Sequence, residues 1–239
     1  MNIALIGYGK MGKAIGTIAL SRGHSIGLII DRDNEADLDP QKLRGIDVCI
    51  EFSNPESAVA NYLKCFESGV PVVSGTTGWL DQLGELIKKC ENMKAGFFYA
   101  SNFSLGVNLF FELNRKLALL MQDFPEYAAS MIEIHHTKKL DAPSGTAITL
   151  AESILAAKNR YTAWKNQADV NDNELPIISF REGEVPGTHE VIYDSPIDTL
   201  SIKHEAKSRE GFALGAVLAA EFMKGKTGCF GMNDLLKLE

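Results

Sequence analysis

An α/β domain followed by an α+β domain is the architecture expected of this chain, on three observations. Over residues 1–105 short apolar runs alternate with segments of helical period, the pattern of a doubly wound parallel sheet. A glycine-rich turn joins the first apolar run to the first helix. Beyond residue 105 the order changes to long helices and consecutive strands with short turns, which predicts an open mixed or antiparallel sheet. The expected division is residues 1–105, with 209–239 packing back on them, and 106–208.

The elements follow in order. NIALIG (2–7) is a short continuous apolar run, as expected of a strand buried on both faces. KMGKAIGTIALSRG (10–23) then takes a helical period: Met11, Ala14, Ile15, Ile18 and Ala19 share one face, and Gly23 is placed to end it. SIGLIID (25–31) and DVCIEFS (47–53) read as the second and third strands. PESAVANYLKCFESG (55–69) has proline near its start and glycine after its end, the asymmetry of a helix. VPVVSG (70–75) is a fourth strand, DQLGELIKKCENM (81–93) a helix and GFFYAS (96–101) a fifth strand.

LGVNLFFELNRKLALLMQDF (105–124) is a long amphipathic helix, ASMIEIHH (129–136) a strand and GTAITLAESILAAK (145–158) another helix. Residues 159–176 are polar and rich in Asn and Asp, and are expected to form a mobile excursion. IISFRE, THEVIYDS and TLSIKHEA then predict three strands in an antiparallel meander. In the last of them Leu200, Ile202 and His204 alternate with Ser201, Lys203 and Glu205. FALGAVLAAEFM (212–223) is a closing apolar helix, expected to pack on the first domain.

Composition excludes several classes. With 239 residues, 45% hydrophobic and 23% charged, the chain can bury a full core. A net charge of −7 argues against a nucleic-acid surface. No run approaches the roughly 18 apolar residues of a membrane span, and the start lacks the basic region and cleavage site of a signal peptide. Cys49, Cys65, Cys90 and Cys229 are scattered, with neither disulfide nor zinc spacing. A cytoplasmic protein is expected.

GYGKMG places Gly7, Gly9 and Gly12 in G-x-G-x-x-G spacing between a strand and a helix, the context that motif requires. Gly7 permits the turn, Gly9 lets backbone approach a pyrophosphate and Gly12 lets the helix pack close to the sheet. The phosphates would sit on the helix N-terminus. Asp31, at the roughly 20-residue spacing of a ribose-binding acid, would meet the hydroxyls of NAD, and Arg32 beside it the 2′-phosphate of NADP. A Rossmann-like, dinucleotide-binding first domain is therefore expected. GTTG (75–78) and SNFS (101–104) fall at the C-terminal ends of strands four and five, where such ligands bind. Alone, each is as good a plain turn as a contact.

EIHHTKKLDAPSGTA (133–147) gathers two histidines, two lysines and an aspartate in an acidic chain. Two readings stand: an accidental polar loop, or a loop built to hold an anion and move a proton. Ser144 is a plausible N-cap, so Gly145 and Thr146 would offer unpaired N–H groups to a carboxylate. An imidazole or ammonium group within reach of the reacting centre would supply the proton that follows a hydride. His189 and His204 are further histidines, but no carboxylate has ligand spacing, so no metal is expected. His204, in line with Leu200 and Ile202, reads as a packed histidine.

This stretch resembles the signature E-x-H-H-x-x-K-x-D-A-P-S-G-T-A of the 4-hydroxy-tetrahydrodipicolinate (dihydrodipicolinate) reductase family. GYGKMG, GTTG, NFSLGVN and SREGFALGAVLAAEF fall in that family's order, so the likeness spans essentially the whole chain. The resemblance implies reduction of a small cyclic dicarboxylate to tetrahydrodipicolinate by NADH or NADPH, in the diaminopimelate route to lysine. It implies that His135 is a proton donor or acceptor and Lys139 a proton donor, with His136, Gly145 and Thr146 holding substrate. Cofactor contacts are implied for Gly7, Tyr8, Gly9, Lys10, Met11, Gly12, Asp31, Arg32, Gly75, Thr76, Thr77, Ser101, Asn102, Phe103 and Ser104, with Arg209 and Phe212 as further candidates to approach it. A homotetramer packed through the C-terminal sheets is also implied. Lys10 stands where many members have arginine, Ser101 where alanine is common, and the segment after strand two is short; the first and last leave NADH against NADPH open. Two other readings compete: a different amino- or hydroxy-acid dehydrogenase, and a non-enzymatic dinucleotide sensor. Neither accounts for residues 133–147.

Overall fold

The computed structural model describes residues 1–157, 160–208 and 210–238. Arg209, one of the residues expected near the cofactor, lies outside them. The chain forms two compact units, Met1–Leu105 with Glu210–Glu239, and Gly106–Arg209.

The first unit carries β1 (Asn2–Ile6), α1 (Lys10–Ser21), β2 (Ser25–Ile30), β3 (Val48–Glu51), α2 (Pro55–Glu67), β4 (Val72–Ser74), α3 (Leu83–Asn92) and β5 (Gly96–Tyr99). To these the C-terminal segment adds α6 (Glu210–Met223), β11 (Gly228–Phe230) and α7 (Met232–Leu236). Six parallel strands run in the order β11-β5-β4-β3-β1-β2. Strand alternation sorts their side chains onto two faces. Ile3, Leu5, Val48 and Ile50 pack with Ile15 and Ala19 of α1 and Ala216, Val217 and Ala220 of α6. Ala4, Ile6, Cys49 and Val72 pack on the opposite face with Tyr62 and Phe66 of α2 and Leu86 of α3.

Five strands were expected here and six form. GCF is too short to show a period, and β11 exists because Gly228 to Phe230 pair with Gly96 to Phe98 at the sheet edge. The order turns back between β1 and β3, so the connections leave their C-terminal ends in opposite directions and a crevice opens there.

The second unit holds β6 (Ala128–His135), β7 (Ala163–Lys165), β8 (Glu174–Arg181), β9 (Thr188–Asp194) and β10 (Thr199–Glu205), and the helices α4 (Leu105–Met121, of which 106 onward belongs here) and α5 (Gly145–Ala156). The strand order is β10-β9-β6-β8-β7. The expected meander is thus only half present: β9 and β10 form a hairpin, but β6 lies between β8 and β9, parallel to one and antiparallel to the other. The β8–β9 connection must therefore round the end of β6, and it does so through hydrogen bonds from Glu182 N–H to His135 O (2.8 Å) and from Thr137 N–H to Gly183 O (3.2 Å).

Residues 160–173 are not the free excursion expected. Ala163–Lys165 pairs with β8, and the buried Tyr161 hydroxyl accepts the Ala129 N–H at 2.7 Å. Tyr161 and Trp164 supply the anchors that the Asn/Asp-rich composition around them conceals. Lys158 and Asn159 lie outside the described residues.

The inner face of this sheet packs Met131, Ile177 and Val191 against Leu150, Ala151 and Ile154 of α5 and Phe110 and Ala118 of α4. Each fully buried Leu or Ile contributes about 1.5–3 kcal/mol. The buried Asn114 amide of α4 donates to Leu150 O at 2.9 Å, tying the two helices together. On the outer face Ile132, Ile134, Ile178 and Ile192 are half-buried and Phe180 is exposed.

Candidate active site

In the first unit a cavity of about 390 Å³ opens at the crevice between β1 and β3. Gly7, Tyr8, Gly9, Asp31 and Arg32 line it, as do Glu35, Phe52, Ser53, Asn54, Ser57 and Asn61. Met11, Gly75, Thr76 and Thr77 line a second depression of about 250 Å³, which shares Phe52 and Ser53 with the first. The glycine turn behaves as its spacing implies. Gly7 has φ +88°, and Gly12 comes so close that a Cβ there would lie 2.1 Å from Gly7 O. No side chain caps α1, whose N-cap is Gly9, so its first-turn N–H groups stay available to an anion.

Lys10 is exposed on the first turn of α1, and Gly12 is buried against Gly7. Neither they nor Ser101, Asn102, Phe103 and Ser104 line the two depressions. The Phe103 ring is turned into the core, 5.5 Å from Phe52 and 5.9 Å from Phe98 between centroids. Phe212 is half-buried on α6.

Sequence reasoning missed what holds these loops in place. Glu51, buried at the end of β3, accepts from Ser53 N–H (3.1 Å), Thr76 Oγ1 (3.0 Å) and Ser74 Oγ (2.8 Å), joining the loops after β3 and β4. Burial, with the charge of Glu51 nearby, pushes the Tyr62 phenol far above its ordinary range, so it stays a neutral partner of Ser74 at 2.6 Å. The signal for Asn54 was present: it precedes Pro55 and caps α2, accepting Ser57 N–H at 3.0 Å.

In the second unit the polar residues of 133–147 meet at one end of the sheet. Glu133 and His135 stand two apart on β6 and therefore share its inner face, with His189 directly opposite Glu133 on β9. Arg181 pairs with His135 from β8. The Glu133 carboxylate, wholly buried, accepts Ser144 N–H at 3.0 Å, lies 3.5 Å from His135 Nδ1 and 3.7 Å from His189 Nε2, and meets Arg181 Nη2 at 3.3 Å. Ser144 caps α5, its Oγ accepting Ala147 N–H at 3.2 Å and lying 3.0 Å from His189 Nε2. Gly145 and Thr146 follow with first-turn N–H groups that have no intrahelical partner. Lys139 Nζ donates to both oxygens of Asp141 at 2.8 Å. His136 falls just past the end of β6, with a buried Nδ1 that has no partner among the described residues. His204 packs 6.1 Å from Phe110, and burial lowers its pKa. Lys138 points elsewhere, to Glu184 at 3.4 Å.

The expectation that no carboxylate would join the histidines needs correction. Glu133, His135 and His189 bring potential ligand atoms within 4.8 Å of one another, because β6 and β9 pair in that register. Both Glu133 oxygens are nonetheless engaged by donors, one of them the Arg181 guanidinium, whose charge opposes a second cation at this spot. The donor set favours a hydrogen-bonded charge cluster over a metal centre.

Burial alone would raise the Glu133 pKa, but the nearby His189 imidazole and hydrogen bonding from Ser144 outweigh it and hold the carboxyl well below the usual range. Burial and the neighbouring His189 lower His135 to about 4, against the pull of Glu133. A consequence for stability follows from linkage. A histidine depressed on folding is neutral in the native state, while its unfolded form takes a proton below the ordinary histidine value of about 6.5. Stability is therefore complete above that value and is lost as pH falls towards 4. Melting followed by circular dichroism between these limits is expected to show a falling Tm, and a shallower fall in His135→Asn; equal slopes would refute the assignment.

Family profiles described as "Dihydrodipicolinate reductase, N-terminus" and "Dihydrodipicolinate reductase, C-terminus" match residues 1–103 and 106–236. A 4-hydroxy-tetrahydrodipicolinate reductase of Christiangramia forsetii is 52% identical over 99% of this chain and 98% of its own. The one from Chromobacterium violaceum is 38% identical over 90% of this chain and 81% of its own. Among solved structures, a dipicolinate-bound dihydrodipicolinate reductase from Paenisporosarcina sp. TG-14 aligns over 98% of this chain and 99% of its own, with a TM-score of 0.77 at 23% identity. That likeness bears on the fold, a parallel six-stranded sheet with helices on both faces and a second, mixed sheet. The profiles and the closely similar relatives bear on descent: the chain belongs to the dihydrodipicolinate reductase family.

Proposed function

We propose that this chain reduces 4-hydroxy-tetrahydrodipicolinate, or the dihydrodipicolinate formed from it, to tetrahydrodipicolinate in the diaminopimelate route to lysine. The observation that carries the reading is the meeting of His135, Lys139 and the open N-terminus of α5 at one end of the second sheet. When bound, NADH or NADPH supplies a hydride to the ring carbon conjugated with C=N.

The residues of the first unit fit such a cofactor. Gly7 permits the turn against the Phe52 backbone, Gly9 keeps backbone clear for a pyrophosphate, and Asp31 and Arg32 would meet the adenosine ribose. Met11 and Gly75 to Thr77 extend that lining and Tyr8 belongs to the first cavity; Lys10, Gly12 and Ser101 to Ser104, outside both depressions, enter the proposed set on the family resemblance alone. Asp31 and Glu35 put two carboxylates in the cavity against the Arg32 guanidinium, which disfavours a 2′-phosphate. NADH is the preferred donor on this reading.

In the second unit, Gly145 and Thr146 N–H groups and His136 bind the substrate carboxylates. Lys139, held by Asp141, delivers a proton to the ring as the nitrogen takes up electron density. With its pKa lowered to about 4, His135 is neutral at pH 7, and so accepts or relays a proton and does not begin as the acid. The half-buried isoleucines and exposed Phe180 of the outer sheet face support a homotetramer built through that face. Four free cysteines suit a reducing cytoplasm. Among the described residues no helix is long and apolar enough to cross a membrane.

The test is oxidation of NADH and NADPH with substrate made in situ from pyruvate and aspartate semialdehyde by the synthase of the preceding step. Oxidation that depends on the synthase, faster with NADH, is expected. Bound dinucleotide without turnover would sink the reading.

A further inference from the structure

Glu133 is fully buried, and the reaction proposed above gives it no task. We propose that Glu133 is a positioning residue, which sets the tautomer of His135 and anchors the first turn of α5 on the same carboxylate. Its Oε1 is held by Arg181 Nη2 at 3.3 Å, and that same nitrogen donates to Asp141 O at 2.6 Å. Its Oε2 accepts the Ser144 N–H at 3.0 Å, so the residue that caps α5 is fixed to β6. The same oxygen lies 3.5 Å from His135 Nδ1, a buried nitrogen with no hydrogen-bond partner among the described residues.

A proton on Nδ1 is thus the arrangement this carboxylate favours, since the opposite tautomer would set a lone pair against a buried negative charge. It leaves Nε2 bare as the working nitrogen. Gly187 keeps that atom open: a Cβ at 187 would lie 3.1 Å from His135 Nε2. The charged and titratable groups facing Glu133 are Arg181 from β8, His189 from β9 and His135 from its own strand, with Lys139 and Asp141 beyond Arg181. His189 Nε2 lies 3.0 Å from Ser144 Oγ and 3.7 Å from the same Oε2, so it braces the cap and shares that oxygen with His135, which is the nearer of the two.

The kinetic part of this inference rests on the reductase reading; the tautomer does not. The test uses the full chain with nitrogen-15-labelled histidine, without substrate, at neutral pH, with His135 assigned by the signal lost in His135→Asn. Wild-type protein is expected to show protonated Nδ1 and bare Nε2 at His135. Glu133→Gln is expected to shift that residue towards the other tautomer. It should also lower kcat by roughly 10- to 100-fold with little change in KM, while NADH binding followed by fluorescence stays as in wild type. A wild-type His135 carrying its proton on Nε2 overturns the inference even if the variant fails to fold. So does a variant that keeps the wild-type tautomer or the wild-type kcat. If the tautomer shifts as expected but neither protein turns over, the positioning role stands and the reductase reading fails.

Discussion

Lys139→Ala is expected to lower kcat by about 100- to 1,000-fold while KM moves by less than about tenfold. The ammonium group sits at the end of a loop whose course is well determined: Lys139 N–H donates to His136 O at 3.1 Å, and its own carbonyl accepts from Arg181 Nε at 3.4 Å. Asp141 then fixes the side chain, accepting from Nζ on both carboxylate oxygens at 2.8 Å. A hydrogen bond from Lys139 holds the Asp141 pKa below its ordinary value, so that carboxylate is ionised at neutral pH. A lysine that only attracted a dianionic substrate would raise KM on removal. One that donates the proton lowers kcat. Steady-state kinetics with both nicotinamide cofactors separates the two, and an unchanged kcat removes Lys139 from the chemistry. The Lys139 side chain is only 21% exposed, so its truncation also removes packing and the Asp141 pair; Tm is therefore read beside kcat, and an inactive variant that still melts cooperatively within a few degrees of wild type cannot be dismissed as misfolded.

Gly7→Ala is expected to cost about 2–4 kcal/mol of stability and to abolish measurable dinucleotide binding. Two independent causes act together. The residue has φ +88°, where a Cβ meets its own carbonyl, and that Cβ would lie 2.1 Å from Phe52 O and 2.6 Å from Phe52 C. The obstruction is backbone at the end of β3, which Glu51 pins in turn through Ser53 N–H, so it cannot step aside as a flexible side chain would. Gly9→Ala is the control. Gly9 has φ −73°, and a Cβ there would meet nothing within 4 Å. Its Tm is expected to stay within a few degrees of wild type. NADH affinity should nevertheless fall by about tenfold or more if the pyrophosphate passes close to this backbone. Calorimetric melting and fluorescence titration read both effects; a stable, binding-competent Gly7→Ala would disprove the close packing of the turn.

The first unit was legible because its evidence is local. Ile3 to Ile6, the glycine spacing, and Pro55 after Asn54 each constrain a neighbourhood of a few residues, and helix and strand periods differ enough to be told apart. The 133–147 motif was legible for the same reason, as a dense run of charge ahead of a capped helix. Less local features escaped. Alternation in Leu200, Ile202 and His204 reveals which residues share a face but not which strand lies next door, so the insertion of β6 between β8 and β9 could not be read. The short β11 carries no period at all, and Tyr161 and Trp164 were outvoted by the polar residues around them.

Composition and short-range pattern thus determined that this chain has two units, a glycine turn suited to a phosphate and a cationic loop ahead of α5. Pairing across the sheets decided the rest. Strand register set Glu133 opposite His189 and Arg181 beside His135, and the fold carried Thr76 to Glu51. Those contacts join residues tens of positions apart. Register is a collective choice of whole strands, settled by which faces can be buried together, and no single stretch of sequence carries it.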